Sequence, residues 1–205
     1  MVLRRRPSGL PRHIRKWAWK SLKKPGKHLP HKKPEWFWRW RAWRLGDKIP
    51  KRPKPKPNLG LERRDKIVMF AHTLVGITEV PDGSNDGPRV REIQSATGAY
   101  HAPWCVSTIQ RIWKVVLGST WADDTAGAYY LADYATRHGC VLPGPVAGCA
   151  VVYHIGSGHA GTVVAVGRFG SFTAIEGNEG NAVRIMQRNK RQIPCTFILR
   201  PELRR

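Results

Sequence analysis

The sequence predicts an α+β fold, with helices first and an antiparallel sheet second. Three observations lead there. Between Leu61 and Gly139 the apolar residues recur at helical spacing. From Gly148 onward the chain changes to short β-type runs separated by Gly- or Asn-bearing turns. Residues 1 to 60 have a composition that cannot build a core.

Composition also marks where the folded domain begins. The first 60 of the 205 residues carry 20 Lys and Arg against Glu35 and Asp47, a net of +18 out of the chain's +22, together with six of its nine Trp. We divide the chain into a basic Trp-rich extension (1–49), a Pro/Lys linker (50–58) and a domain (59–205). The linker sequence PKRPKPKP, Pro50 to Pro57, has Pro at almost every second residue with like charges between, which favours an extended polyproline-type spacer. The opening MVLRRRPSGLPRHIRKWAWK has the charge of a secretory n-region. Pro7, Pro11, Arg12, Arg15 and Lys16 interrupt any apolar h-region, so no signal peptide is expected. No later stretch approaches the roughly 18 apolar residues of a membrane span, and the chain is expected to be soluble when made.

Within the extension, WFWRWRAWRL sets Trp36, Trp38, Trp40 and Trp43 among Arg39, Arg41 and Arg44. Helical spacing would bring Trp36, Trp40 and Trp43 to one face. Such a face suits an anionic membrane interface, where Trp sits at headgroup depth and cations meet phosphates. It also suits single-stranded nucleic acid, whose bases stack on aromatics, or an acidic wall polymer. A helix docked on the domain with its Trp buried is the plainest alternative.

In the domain, a first helix is expected over Leu61 to Leu74, with Ile67, Phe70, Ala71 and Leu74 as its apolar face and Gly76 as its stop. His72 falls just off that face. The loop DGSNDG, Asp82 to Gly87, copies the first half of a calcium loop, but Ile93 stands where the bidentate Glu is needed, so a turn is the preferred reading. Pro88 should open a short helix ending at Gly98. A third helix begins around Pro103 in APWCVSTIQRIW, with Pro103 and Cys105 both in its first turn. Asp123 or Asp124 should cap a fourth, with Ala128, Leu131, Ala135 and His138 along one side and Gly139 as its stop. GCAVVYHI, HAGTVVAV, SFTAI, AVRIMQ and TFIL then read as five strands.

Three places in this layout carry chemistry. Cys105 at a helix start meets unpaired N–H groups and the positive end of the helix dipole, which favour the thiolate, the nucleophilic form. His159 opens a strand after the turn Gly156, Ser157, Gly158. Glu176 and Asn178, two apart, would share one strand face. If Arg168 and Phe169 form a two-residue hairpin turn, paired residue numbers sum to 337 and His159 faces Asn178; a slip of two puts it opposite Glu176. Either acceptor could fix the imidazole tautomer, so the third member stays open between them. Singly, each residue has a plainer reading: a buried small hydrophobe, a structural His, a turn. Their joint order and strand parity favour a thiol hydrolase.

The segments PWCVS, GCAVVYHIGSGHAGTVVAV and FTAIEGN resemble the CHAP family, the cysteine- and histidine-dependent amidohydrolases and peptidases of phage and bacterial peptidoglycan hydrolases. The similarity runs from about Leu61 to Pro201. It implies a papain-like fold, Cys105 as nucleophile, His159 as base, Glu176 as its orienting partner and Asn178 as a polar neighbour or alternative partner. The chain departs from the family at Gly148-Cys149, where Gly-Asp is common, and at Val106, Ser107 and Thr108, where a small residue and an aromatic often follow the nucleophile. Trp104 and Tyr100 are candidate walls of a substrate cleft, with a core role as the alternative for each.

The resemblance implies a phage-type lysin made in a host cytoplasm, with peptidoglycan as substrate; the charge and Trp of the extension point to an anionic envelope or membrane surface as its partner, and a monomer is expected. A lysis pore or a virion would bring it to the wall. Two rivals are a non-enzymatic basic protein for nucleic acid or envelope and a thiol protease acting on protein. No cofactor is expected; calcium near Asp82 and Asp86 is the alternative, since some relatives bind calcium in this region. His154 and His159 are not spaced as a helical zinc pair. Beside Cys105, the odd remainder Cys140, Cys149 and Cys195 argues against a disulfide framework.

Overall fold

A computed structural model describes residues 58–204. The expectations for the basic extension, its Trp36, Trp38, Trp40 and Trp43 face and the PKRPKPKP spacer lie outside those residues. Among the described residues, four helices come first: α1 (Leu59–Leu74), α2 (Pro88–Gln94), α3 (Cys105–Leu117) and α4 (Ala128–Arg137). Six strands follow: β1 (Val141–Leu142), β2 (Ala150–Tyr153), β3 (His159–Val166), β4 (Ser171–Glu176), β5 (Arg184–Asn189) and β6 (Cys195–Ile198). They form one antiparallel sheet in the order β1-β6-β2-β3-β4-β5, and a 3-10 turn, Pro201–Leu203, ends the fold. The chain is thus α+β. No described helix is long and apolar enough to cross a membrane.

The helices form where caps and apolar spacing agree. Asn58 caps α1 by accepting from the Leu61 N–H at 3.1 Å, which adds about 1 kcal/mol to such a helix. Ile67, Ala71 and Leu74 are buried and Phe70 packs against the core, while His72 is exposed. The short α2 ends at Gln94, ahead of the expected Gly98. α3 buries Val106, Ile109, Ile112 and Trp113 against α1 and β3, and α4 covers β2 and β6.

The cap expected for α4 is corrected. Asp123 and Asp124 both adopt left-handed backbone (φ 54° and 55°), Asp123 accepts from Tyr130 Oη at 2.7 Å, Asp124 accepts from Thr120, and Gly127 is the residue before the helix. The aspartates close the preceding turn instead of capping.

Five strands fall where the β-type runs predicted them. The sixth, β1, is two residues pairing Val141 with Ile198 and Leu142 with Phe197, too short to have a readable period. The β3–β4 hairpin is also corrected at its tip. Gly167 donates to the Ser171 carbonyl at 2.9 Å and Ser171 to the Arg168 carbonyl at 3.1 Å, so the turn has one residue more than expected. A bulge between Val163 and Ala165 absorbs that extra residue, and the pairs Val163–Ala174, Thr162–Ile175 and Gly161–Glu176 sum to 337 at the far end. Two compensating irregularities therefore deliver the expected register to the end that matters.

Candidate active site

Cys105 is the first residue of α3 and is 6% exposed. Trp104 precedes the helix, so Pro103 stands outside the first turn rather than within it. Two buried polar side chains hold this approach. Glu79 accepts from Trp104 Nε1 at 2.9 Å and from the Asn85 N–H at 2.8 Å. Gln94 Nε2 donates to the carbonyls of Asn85 and Ala102, both at 3.0 Å. Trp104 has no exposure, so of its two expected roles it takes the core one and does not wall a cleft. Tyr100 is 51% exposed, so it does not take the core role.

The tripeptide Glu176-Gly177-Asn178 does three different things. Glu176 is the last residue of β4 and is wholly buried. Gly177 lies against the first turn of α3: a Cβ there would come within 2.8 Å of Thr108 Cβ and 3.1 Å of the Trp104 ring. Its lack of a side chain lets the helix tip approach the sheet. Asn178 has left the strand, with φ 57°, and does not share the face of Glu176 as expected. Its amide is satisfied with the nitrogen turned to Glu79 Oε1 (3.1 Å) and the oxygen to the Trp104 N–H (3.3 Å). Asn178 thus anchors the residue before the thiol, and the imidazole partner is Glu176.

His159 opens β3 and directs Nε2 at Glu176 Oε2, 3.1 Å away. Glu176 pairs directly with Gly161, and its side chain crosses that glycine to reach the imidazole two residues along. A Cβ at Gly161 would stand 2.6 Å from Glu176 Cγ, so this crossing requires glycine. Glu176 engages Nε2, and Cys105 is the other group that acts on the ring to raise its pKa. Tyr153, opposite His159 on β2, stacks on it at 5.9 Å and donates its hydroxyl to Glu176 Oε1 at 2.6 Å. Arg188 completes the network, with Nε 3.0 Å from Oε1 and Nη2 2.6 Å from Oε2 of Glu176. Its guanidinium also lies over the Tyr153 ring, 5.4 Å from the centroid.

The electrostatics follow from these contacts. Burial works against a charged His159, but hydrogen bonds and opposite charge from Cys105 and Glu176 outweigh it and raise its pKa from 6.5 to about 9. Burial alone would raise the Glu176 carboxyl; donors from His159, Arg188 and Tyr153 instead hold it below the usual carboxylate range. Burial and the neighbouring Glu176 push the Tyr153 phenol up, so it remains a donor. The site can therefore hold an imidazolium facing a sulfur, with a buried anion behind it.

A metal fits less well. His159, Glu176 and Glu179 bring donor atoms within 4.8 Å of one another, but Arg188 already occupies both oxygens of Glu176 and approaches Glu179 at 3.3 Å. His154 is turned to Thr196 Oγ1 at 2.8 Å. In the calcium-like loop, Asp86 forms a two-pronged pair with Arg91 (2.5 and 2.6 Å), whose hydrogen bonds lower its pKa to about 2, and Asp82 accepts from Asn181 at 3.0 Å. A cation there would have to displace those donors. All four cysteines are free thiols; burial pushes Cys149 up to about 12, which makes it inert.

Four site residues were not singled out from sequence. Tyr153 was findable, since it faces His159 across the turn His154 to Gly158. Glu179 begins a second copy of Glu-Gly-Asn, EGNEGN over Glu176 to Asn181. Glu79 and Arg188 gave no local signal, because each acts on residues far away in the chain. No protein-family model, no curated protein and no solved structure matches the chain.

Proposed function

We propose that the chain is a cysteine-dependent amidase or endopeptidase with a papain-like layout, acting on the peptide part of bacterial peptidoglycan. What supports the chemistry is that His159 bonds the buried Glu176 carboxylate and that Cys105 and Glu176 together favour its charged form. The substrate class rests on the resemblance of PWCVS, GCAVVYHIGSGHAGTVVAV and FTAIEGN to the CHAP family.

In this reading His159 Nδ1 takes the Cys105 proton, and the thiolate adds to an amide carbonyl, forming the C–S bond. The Cys105 N–H, at a helix start and without an intrahelical acceptor, faces the developing oxyanion. The imidazolium then protonates the leaving amine as the C–N bond breaks. Water, deprotonated by His159, attacks the thioester to release a carboxylate and restore the thiol. Glu176 keeps Nε2 in place through both halves, and Arg188 and Tyr153 keep Glu176 in place. The extension and the linker, which together carry a net +18, supply affinity for an anionic envelope surface and take no part in the chemistry.

The test is digestion of purified cell walls followed by mass spectrometry of the fragments, which also names the bond cut. Cys105→Ala should abolish the loss of turbidity, whereas Cys140→Ala, Cys149→Ala and Cys195→Ala should leave it nearly whole. Walls cleaved equally well by Cys105→Ala would overturn the mechanism. Cleavage of a protein substrate with walls untouched would replace the substrate class.

A further inference from the structure

Glu176 does not serve His159 alone. Arg188 engages both of its oxygens and Tyr153 takes Oε1 as well. A carboxylate shared with a guanidinium holds an imidazolium less firmly than one that faces it alone. Apart from the Cys105 thiolate, whose charge the imidazolium also meets, imidazolium, Glu176 and Arg188 carry a formal excess of one positive charge, at a point where Glu176 has no solvent exposure. One more anion reaches this point. Glu179 Oε2 lies 3.3 Å from His159 Nε2 and 3.3 Å from Arg188 Nη2. Its backbone is fixed, since the Glu179 N–H donates to the Ala182 carbonyl at 3.0 Å and Ala182 bridges to Thr78.

We propose that Glu179 is a second positioning carboxylate of the base, holding the Nε2 edge of His159 beside Glu176 and supplying the negative charge that Arg188 takes up. The inference rests on the reading of His159 as the base. The charged and titratable groups facing His159 are Cys105 from α3, Tyr153 from β2, Glu176 from β4, Arg188 from β5 and Glu179 from the turn after β4. Of these Glu179 is the most exposed, with 31% of its side chain open to solvent. It can be changed without stranding a buried charge.

The experiment follows alkylation of Cys105 by iodoacetamide against pH in the full chain, with peptide mapping to separate it from the other cysteines. Glu179→Gln should slow alkylation at neutral pH, where the thiolate depends on its imidazolium partner, by about three- to tenfold, and leave the rate at high pH, where the thiolate needs no partner, unchanged. Glu179→Asp should recover part of that loss. The titration of the His159 imidazole C2–H, followed by NMR, should move to lower pH. A Glu179→Gln profile and titration that superimpose on those of the unaltered chain would overturn the inference. Alkylation needs no wall substrate, so a shifted profile in a protein that leaves walls intact would sink the peptidoglycan reading and uphold this one. Wall cleavage with an unmoved profile would do the reverse.

Discussion

Gly161→Ala tests the crossing of Glu176 over β3. The added Cβ would stand 2.6 Å from Glu176 Cγ and 3.1 Å from the Ile175 carbonyl oxygen, whereas carbon atoms pack at about 3.5–4.0 Å. Glu176 must therefore retreat by about 1 Å. It is fully buried, and Tyr153, His159 and Arg188 hold it on every side, so the retreat breaks something. The bond from His159 Nε2, now 3.1 Å, would open to roughly 4 Å, outside hydrogen-bonding range. Overpacking costs about 1–3 kcal/mol and a lost bond to a charged group about 1.5–3, and because the two share one displacement we expect about 2–4 kcal/mol in total. In a domain of this size that lowers Tm by roughly 5–15 °C. A displacement of about 1 Å in the partner of the base should also slow Cys105 chemistry by about a hundredfold. Gly144→Ala is the control, since its Cβ would meet only the flexible tip of Lys190, 3.3 Å away. Thermal melting by circular dichroism and Cys105 alkylation measure both effects. A Gly161→Ala protein that melts and alkylates like the unaltered chain would refute the reasoning.

Three further outcomes are expected. Glu176→Gln should reduce turnover more than Asn178→Ala and also cost about 3–5 kcal/mol of stability, because it leaves the Arg188 guanidinium without its buried counter-charge; Asn178→Ala should act more mildly, through the Trp104 N–H, and the opposite ranking in turnover would exchange their roles. The raised His159 pKa contributes stability that is complete below its ordinary value of 6.5 and lost as pH rises through about 9, while the lowered Glu176 pKa contributes stability above 4.5 that is lost in acid. Urea midpoints measured from pH 4 to 10 should thus fall at both ends, and His159→Ala should flatten the alkaline fall. Binding of the full chain to cell walls should weaken steeply with salt, because attraction from a net +18 is screened within about 8 Å at physiological ionic strength; a chain starting at Leu59 that binds equally well at every salt concentration would show that the extension is not the targeting device.

The sequence by itself determined that helices precede strands, the positions of five of the six described strands, and the candidates Cys105, His159 and Glu176. These are local properties: the apolar period changes from helical to strand-like within a few residues, and a helix start or a strand start is written in its own neighbours. Cross-strand pairing near His159 followed as well, although for an incomplete reason, since a longer turn and a bulge cancel each other. Only the tertiary structure decided between Glu176 and Asn178. Two residues of the same strand would share a face, but the strand ends at Glu176, and Asn178 turns away to the Trp104 N–H. Only the tertiary structure, too, brought Glu79, Tyr153, Arg188 and Glu179 to the site. Each meets its partner across a sheet or a helix tip, where the contact depends on how far the strands coil and how closely α3 approaches Gly177. No period or motif within one segment encodes that distance.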